Sequence, residues 1–167
     1  MEIKLLVDQL SQKLLANNHR VATAESCTGG GIAEAMTQLA GSSAWFECGW
    51  VTYSNLAKQN LLQVDPQVLA VEGAVSESVV LMMARNALSL AAVHYSVAVS
   101  GIAGPAGGTA QKPLGTVWIA WASLSIEGVV QTQAQCFYFS GDRQQVRRQT
   151  IQQALLGLIG LIKNTHK

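Results

Sequence analysis

In the stretch VATAESCTGGGIAEAMTQL, residues 21–39, a strand pattern passes into a helix pattern through a run of glycines, which is typical of an α/β fold. Residues 21–24 are short and compatible with a buried strand, and residues 32–39 indicate a helix. The turn between them places Ser26 at the carboxyl edge of the strand, beside free N–H groups of the helix N-terminus. Such groups bind a phosphate or a tetrahedral oxyanion. The alternative is a purely structural turn in which Ser26 or Thr28 caps the helix.

Strands and helices alternate on both sides of this stretch for the first hundred residues. This alternation favours an α/β sandwich with helices on both faces of the sheet. A short connection near Glu127 and Gly128 joins the last two strands and predicts an antiparallel hairpin, which makes the sheet mixed. The helices are predicted over residues 2–18, 32–39, 56–62, from Pro66, over 77–92 and from Asp142, and the strands over 21–24, 48–53, 95–99, 115–123 and 129–139.

Capping residues mark where several of these helices begin. Ser54 precedes the helix at 56–62, and Ser76 precedes the long helix that follows it. Asp142 and Gln145 have the spacing of a capping box at the start of the last helix.

Composition excludes several classes of protein. The 167 residues suit a single domain over residues 1–167, and 49% of them are apolar. Net charge is +1 without a basic stripe, so we expect no nucleic-acid partner. No apolar run reaches the roughly 18 residues that span a membrane, and no signal-peptide pattern opens the chain, so we expect a cytoplasmic protein. The cysteines and histidines lack ligand spacing, which predicts no metal site.

Charged residues make up only 13% of the chain, which indicates extensive burial. One interpretation is a subunit interface, hence a homodimer or larger homo-oligomer. The other is a compact domain with few loops.

The segment YSNLAK, residues 53–58, contains a second set of candidate catalytic groups. Ser54 and Lys58 are four residues apart and share a helix face. A lysine can act as base to a serine where burial lowers its pKa. Tyr53 is close enough in sequence to polarise a hydroxyl or relay a proton. The alternative is a capped helix with a solvated lysine.

The loop SGIAGPAGGT, residues 100–109, is the third segment with candidate functional residues. Its glycines and terminal hydroxyl groups suit an anion or ribose site, although an Ω-loop without ligand fits equally well. Arg143 is a candidate partner for a phosphate or carboxylate, or an ordinary surface arginine. Cys27 is an alternative nucleophile at the helix N-terminus, but it has no histidine nearby in sequence.

Several blocks together resemble the CinA C-terminal domain family, the nicotinamide-nucleotide amidohydrolases. The blocks follow the family's order and span most of the chain. They are AESCTGG (24–30), GSSAWF (41–46), VTYSNLAK (51–58), GAVS (73–76), SGIAGPAGGT (100–109), KPLGTVW (112–118) and SGDR (140–143).

The resemblance implies a three-layer α/β/α sandwich with a mixed, mostly parallel sheet. It implies a stand-alone enzyme that converts nicotinamide mononucleotide to nicotinate mononucleotide and ammonia, without metal or cofactor. It also places the nucleophile at Ser26 rather than Ser54, with Lys58 as base and Tyr53 beside them. The rival interpretations are a non-catalytic nucleotide-binding module and an amidase for another small amide.

The mechanism that we hypothesise adds two further groups of residues. Backbone N–H groups stabilise the oxyanion, and the third segment with Arg143 binds the substrate, its phosphate included. The first group is Cys27, Thr28, Gly29 and Gly30, and the second is Ser100, Gly101, Ala103, Gly104, Gly108, Thr109 and Arg143.

Overall fold

The computed structural model describes residues 2–164, and side chains as far as residue 162, so residues 1 and 165–167 of the predicted domain lie outside it. Every predicted helix and strand is present, and a short 3₁₀ turn covers Ser42–Ala44. The elements are α1 (Ile3–Ala16), β1 (Val21–Glu25), α2 (Gly31–Thr37), β2 (Phe46–Val51), α3 (Asn55–Leu62), α4 (Pro66–Glu72), α5 (Glu77–Ala91), β3 (Tyr95–Gly101), β4 (Thr116–Leu124), β5 (Val130–Tyr138) and α6 (Arg143–Asn164).

The sheet that residues 2–164 form has five strands in the order β2-β1-β3-β4-β5. Strand β1 is parallel to both of its neighbours, and β4 is antiparallel to both of its own. Strands β1, β2, β3 and β5 therefore point the same way, which confirms a mixed, mostly parallel sheet. The carboxyl ends of these four strands meet at one edge.

Helices cover both faces of the sheet and complete the three layers. Helices α1, α2 and α6 pack on one face, and α3, α4 and α5 pack on the other. Alternation along β3 sends Val97 and Val99 to the first face and Ala98 to the second. Small side chains on the second face let α5 lie close to the strands. Within residues 2–164, no helix combines the length and apolarity needed to cross a bilayer.

The end of β2 differs from the prediction. The strand covers Phe46–Val51 instead of residues 48–53, so Thr52 and Tyr53 lie beyond it. The Thr52 N–H still donates to the Glu25 carbonyl oxygen at 2.8 Å, and the chain then turns away into α3. Thr52 and Tyr53 are of residue types that favour a strand, but here they lie in the connection between β2 and α3.

Two of the predicted helix caps form side-chain hydrogen bonds to their helices, and the third does not. The Ser54 Oγ accepts the Ala57 N–H at 3.0 Å. The Gln145 N–H donates to Asp142 Oδ1 at 2.9 Å and the Asp142 N–H donates to Gln145 Oε1 at 2.8 Å, which completes the capping box. Ser76 occupies the predicted N-cap position of α5, but its side chain accepts no helix N–H, and its hydroxyl donates to the Gly73 carbonyl oxygen at 2.8 Å.

Helix α6 depends on a glycine where it crosses Trp121 of β4. The Trp121 indole N–H donates to the Ala154 carbonyl oxygen at 2.9 Å, and a Cβ added at Gly157 would overlap the indole ring. Gly157→Ala should therefore destabilise the protein by about 1–3 kcal/mol in a denaturant titration. Gly160→Ala is the control, because a Cβ there meets nothing within 4 Å, and it should stabilise the helix by about 0.5–1 kcal/mol. Equal effects of the two substitutions would contradict this packing.

Candidate active site

A cavity of about 200 Å³ lies at the edge where β1, β2 and β3 end. The three chain segments that leave these strands supply most of its walls, and the connector between α4 and α5 closes one side. Its lining residues are Ser26, Cys27, Tyr53, Lys58, Ala74, Val75, Ser100, Gly101, Ala103 and Arg143.

Ser26 and Lys58 are in contact at the floor of this cavity. The Lys58 Nζ lies 2.9 Å from the Ser26 Oγ, and the two residues are 1% and 8% exposed. The same Nζ lies 2.7 Å from the Thr52 carbonyl oxygen and 3.4 Å from that of Tyr53. A neutral amine has two N–H groups, which these carbonyl oxygens can accept. Its lone pair is then free to accept the Ser26 hydroxyl proton.

Burial changes the protonation of Lys58. Desolvation lowers the pKa of this amine from 10.5 to about 8. No carboxylate in residues 2–162 forms an ion pair with Lys58, so desolvation remains the largest influence on its pKa. The geometry and the lowered pKa together give a serine beside an amine that loses its proton near neutral pH.

The turn from β1 into α2 positions Ser26. The Ser26 N–H donates to the Val99 carbonyl oxygen at 3.1 Å, which extends the pairing of β1 with β3 by one residue. Gly29 and Gly30 then adopt φ angles of +60° and +95°, which residues with a Cβ rarely adopt. Gly30 holds the N-cap position of α2, so the alternative in which Ser26 or Thr28 caps this helix is wrong.

Glu25 caps this helix instead, and the sequence patterns did not identify it. Its carboxylate is 1% exposed and accepts the Ile32 N–H at 3.0 Å and the Ala33 N–H at 2.8 Å. It also accepts the Thr28 hydroxyl. The carboxylate therefore lies at the positive end of α2 and accepts N–H groups of the helix itself, not those of the turn that precedes it. The signal available in the sequence was an acidic residue just before a glycine-rich turn.

The four amides predicted for an oxyanion differ in their availability. The Gly29 N–H donates to the Ser26 carbonyl oxygen at 3.0 Å and is already used. The amides of Cys27, Thr28 and Gly30 donate to no other residue among those described. Cys27 and Thr28 directly follow Ser26, so their N–H groups are the nearest to Ser26 along the chain.

Tyr53 and Arg143 meet at the mouth of the cavity. The Arg143 Nη2 donates to the Tyr53 hydroxyl at 2.9 Å, and its Nη1 donates to the Gly104 carbonyl oxygen at 2.8 Å. The Tyr53 side chain is 59% exposed, and no hydrogen bond among the described residues joins its hydroxyl to Ser26 or Lys58. The contact of Lys58 with Ser26 is therefore direct, whereas Tyr53 contacts Lys58 through its backbone carbonyl.

The glycine-rich loop contributes to the cavity unevenly. Ser100, Gly101 and Ala103 line it, whereas Gly108 and Thr109 lie farther along the loop. The Thr109 Oγ1 accepts the N–H of Lys112 at 3.0 Å, which closes the loop upon itself.

Cys27 lines the cavity but is not poised to react as a thiolate. Burial raises the pKa of its thiol to about 12, so the thiol stays protonated. A protonated thiol is a poor nucleophile, which disfavours the cysteine alternative.

Besides Glu25, three contributions to the site were missed from the sequence. The Thr52 carbonyl holds Lys58, the connector residues Ala74 and Val75 form a wall, and the Arg147 Nη2 donates to the Thr28 carbonyl oxygen at 2.7 Å. The sequence patterns did not single out Arg147. Its spacing of four residues from Arg143, on the same helix face, was the usable signal.

Comparison with known proteins gives a consistent result. The model of the CinA C-terminal domain family matches residues 4–162. The chain is 53% identical to the nicotinamide-nucleotide amidohydrolase PncC of Escherichia coli strain K12, over 92% of this chain and 91% of that protein. It is 50% identical to PncC of Pseudomonas putida, over 95% and 96%. The crystal structure of the competence damage-inducible protein A from Klebsiella pneumoniae superimposes with a TM-score of 0.88, at 40% identity and 96% coverage of both chains.

The buried Glu25 carboxylate should be a large contributor to stability. Glu25→Ala leaves two helix N–H groups and the Thr28 hydroxyl without their acceptor, so we expect a loss of about 3 kcal/mol in a urea titration. Glu127→Ala, in the exposed turn between β4 and β5, should change stability by no more than about 0.5 kcal/mol. If both variants unfold at the same urea concentration, Glu25 does not hold this turn.

Proposed function

The chain belongs to the CinA C-terminal domain family, and from that premise we propose that it hydrolyses the carboxamide of nicotinamide mononucleotide, with Ser26 as nucleophile and Lys58 as base. The products are nicotinate mononucleotide and ammonia. Curated relatives that are half identical over most of the chain are nicotinamide-nucleotide amidohydrolases, which supports the reaction. The observation that carries the residue assignment is the 2.9 Å contact between the buried Lys58 Nζ and the Ser26 Oγ.

The first step is attack on the amide carbonyl carbon. Neutral Lys58 accepts the hydroxyl proton as the Ser26 Oγ forms its bond to carbon. The carbonyl oxygen becomes an oxyanion, and we assign the amides of Cys27 and Thr28 as its donors because they donate to no other described residue. Each such donor is typically worth about 3 kcal/mol in the transition state.

The second step releases ammonia, and the third releases the acid. The Lys58 ammonium returns its proton to the amide nitrogen, the carbon–nitrogen bond breaks, and an ester to Ser26 remains. Lys58 is neutral again and takes a proton from water, whose oxygen attacks the ester carbon. The proton then passes to the Ser26 Oγ, and nicotinate mononucleotide leaves.

The size of the cavity limits which part of the substrate it can enclose. About 200 Å³ is below the roughly 300–1,000 Å³ of pockets that enclose a drug-sized ligand. We therefore assign the carboxamide end to the cavity and the ribose phosphate to its mouth. Arg143 stands there with two neutral partners, Gly104 and Tyr53, so its charge is available to a phosphate.

We also infer a cytoplasmic enzyme that forms a homodimer or larger homo-oligomer. All three cysteines are free thiols, which suits a reducing compartment. Large apolar side chains such as Val71, Leu56 and Ile126 are exposed on the described surface, where a second subunit could cover them.

The nucleophile is tested by removing its hydroxyl. Ser26→Ala should lower the release of ammonia from nicotinamide mononucleotide at least about 1,000-fold, because no other group takes over the attack. Ser54→Ala is the matched control. It should keep the wild-type rate and lose only about 1 kcal/mol of stability, because Ser54 caps α3.

The outcomes of this comparison separate the rival functions. Full activity of Ser26→Ala would falsify the nucleophile assignment. Binding of the nucleotide without turnover by the wild type would favour a non-catalytic nucleotide-binding module. Turnover of other small amides, but not of this one, would favour a different amidase.

The base is tested by the pH dependence of kcat/KM, which reports groups of the free enzyme. Only neutral Lys58 accepts the serine proton, so the rate should rise with pH and level off above a midpoint near pH 8. Lys58→Met retains an apolar stem but has no titratable amine, so it should lose at least about 1,000-fold in rate together with this limb. A Lys58→Met variant that keeps both would show that another group is the base.

A further inference from the structure

Thr28 is held from two sides in the turn that follows Ser26. Its hydroxyl donates to the Glu25 carboxylate, and its carbonyl oxygen accepts the Arg147 Nη2 at 2.7 Å and the Gly31 N–H at 3.2 Å. Its own N–H has no acceptor among the described residues. The hydroxyl and the carbonyl oxygen of Thr28 therefore have hydrogen-bond partners, and only its N–H remains available to a ligand.

The peptide between Thr28 and Gly29 is fixed at both ends. Arg147 binds its carbonyl, and its N–H donates to the Ser26 carbonyl oxygen at 3.0 Å. Gly29 has a φ of +60° and no Cβ, so without such restraints this peptide could rotate at little cost. Loss of these restraints would let the whole turn that carries the Cys27 and Thr28 amides change its conformation.

Arg147 reaches this turn from α6 and is only partly solvated. Its Nη2 lies 3.7 Å from where a Cβ of Gly29 would be, and its Nε is buried without a hydrogen-bond partner in the part of the chain described. No carboxylate in that part forms an ion pair with it. The guanidinium charge therefore lies unneutralised against the turn that carries the candidate oxyanion amides.

We propose that Arg147 is a positioning residue that acts through the Thr28 carbonyl to hold the Cys27 and Thr28 amides in the direction that an oxyanion on the Ser26 adduct requires. The inference rests on the proposed function, because it concerns the same serine. Arg147 forms no hydrogen bond with Ser26 or Lys58 among the described residues, and its hydrogen bond to the site is the one to the Thr28 carbonyl oxygen.

A positioning role makes a kinetic prediction that a merely structural contact does not. The substrate's ground state does not carry the oxyanion, so loss of Arg147 should lower kcat and leave KM unchanged. The midpoint of the pH profile should stay near 8, because Lys58 keeps its partners. Guanidinium ion should restore part of the rate to a variant that lacks the side chain.

The experiment compares Arg147→Met with Arg148→Met, its neighbour on the same helix, which is exposed and makes no hydrogen bond among the described residues. Two rates are measured for each protein. One is ammonia release from nicotinamide mononucleotide, and the other is phosphonylation of Ser26 by a fluorophosphonate, followed by intact mass. We expect Arg147→Met to lower kcat and the phosphonylation rate roughly 10- to 100-fold, with KM within about twofold of the wild type. Arg148→Met should match the wild type.

Two further Arg147 variants distinguish a loss of positioning from a loss of the fold. Arg147→Lys keeps a charge and one donor and should give intermediate rates. Arg147→Ala should gain rate in millimolar guanidinium, whereas Arg148→Ala should not. The proposal fails if Arg147→Met is as fast as Arg148→Met, if only KM rises, or if the pH midpoint moves.

The phosphonylation rate separates this proposal from the proposed function. A wild type that reacts with the fluorophosphonate but releases no ammonia would overturn the substrate assignment. The relative phosphonylation rates of the Arg147 and Arg148 variants would still decide the role of Arg147.

Discussion

The rest of the site depends on the burial of the Lys58 amine. Taking an ammonium out of water costs several kcal/mol, and here no carboxylate among the described residues offsets that cost. The fold instead gives Nζ two backbone carbonyls and a hydroxyl, which suit a neutral amine as well as a charged one. Because the folded pKa of about 8 lies below the unfolded value of 10.5, stability rises as pH increases between them. Below pH 8 the folded protein carries the full desolvation cost of the Lys58 ammonium. The same cost is what brings the pKa of this amine down to about 8.

A second constraint follows from placing the serine beside a helix N-terminus. The N–H groups of that terminus need acceptors, and a nucleophile that supplied them would not be free to react. Glu25 takes two of them with its buried carboxylate, and Gly30 rather than Ser26 occupies the N-cap. The division of roles leaves Ser26 with Lys58 as its side-chain partner and leaves the next two amides unused.

The sequence predicted the order and type of the elements well, because periodicity and caps are local signals. It was less accurate where long-range contacts decide: β2 ends at Val51, and the carbonyl oxygens of Thr52 and Tyr53 contact Lys58 instead of a neighbouring strand. The pairing of Ser26 with Lys58 came from family resemblance, because the two residues are 32 apart and spacing alone favoured Ser54. Arg147 lies 119 residues from Thr28, so no local pattern could have assigned their contact.

The direction of β5 explains why side chains of α6 reach the site. Two antiparallel pairings return β5 to the direction of β1, so its carboxyl end lies at the same edge as the other three. Helix α6 therefore starts beside the cavity, and its first two turns place Arg143 at the mouth and Arg147 against the Ser26 turn. The hairpin that makes the sheet mixed thus has a functional consequence. A parallel strand after β3 would need another crossover connection, whereas the glycine-rich loop and the β4–β5 hairpin return the chain to this edge without a further helix.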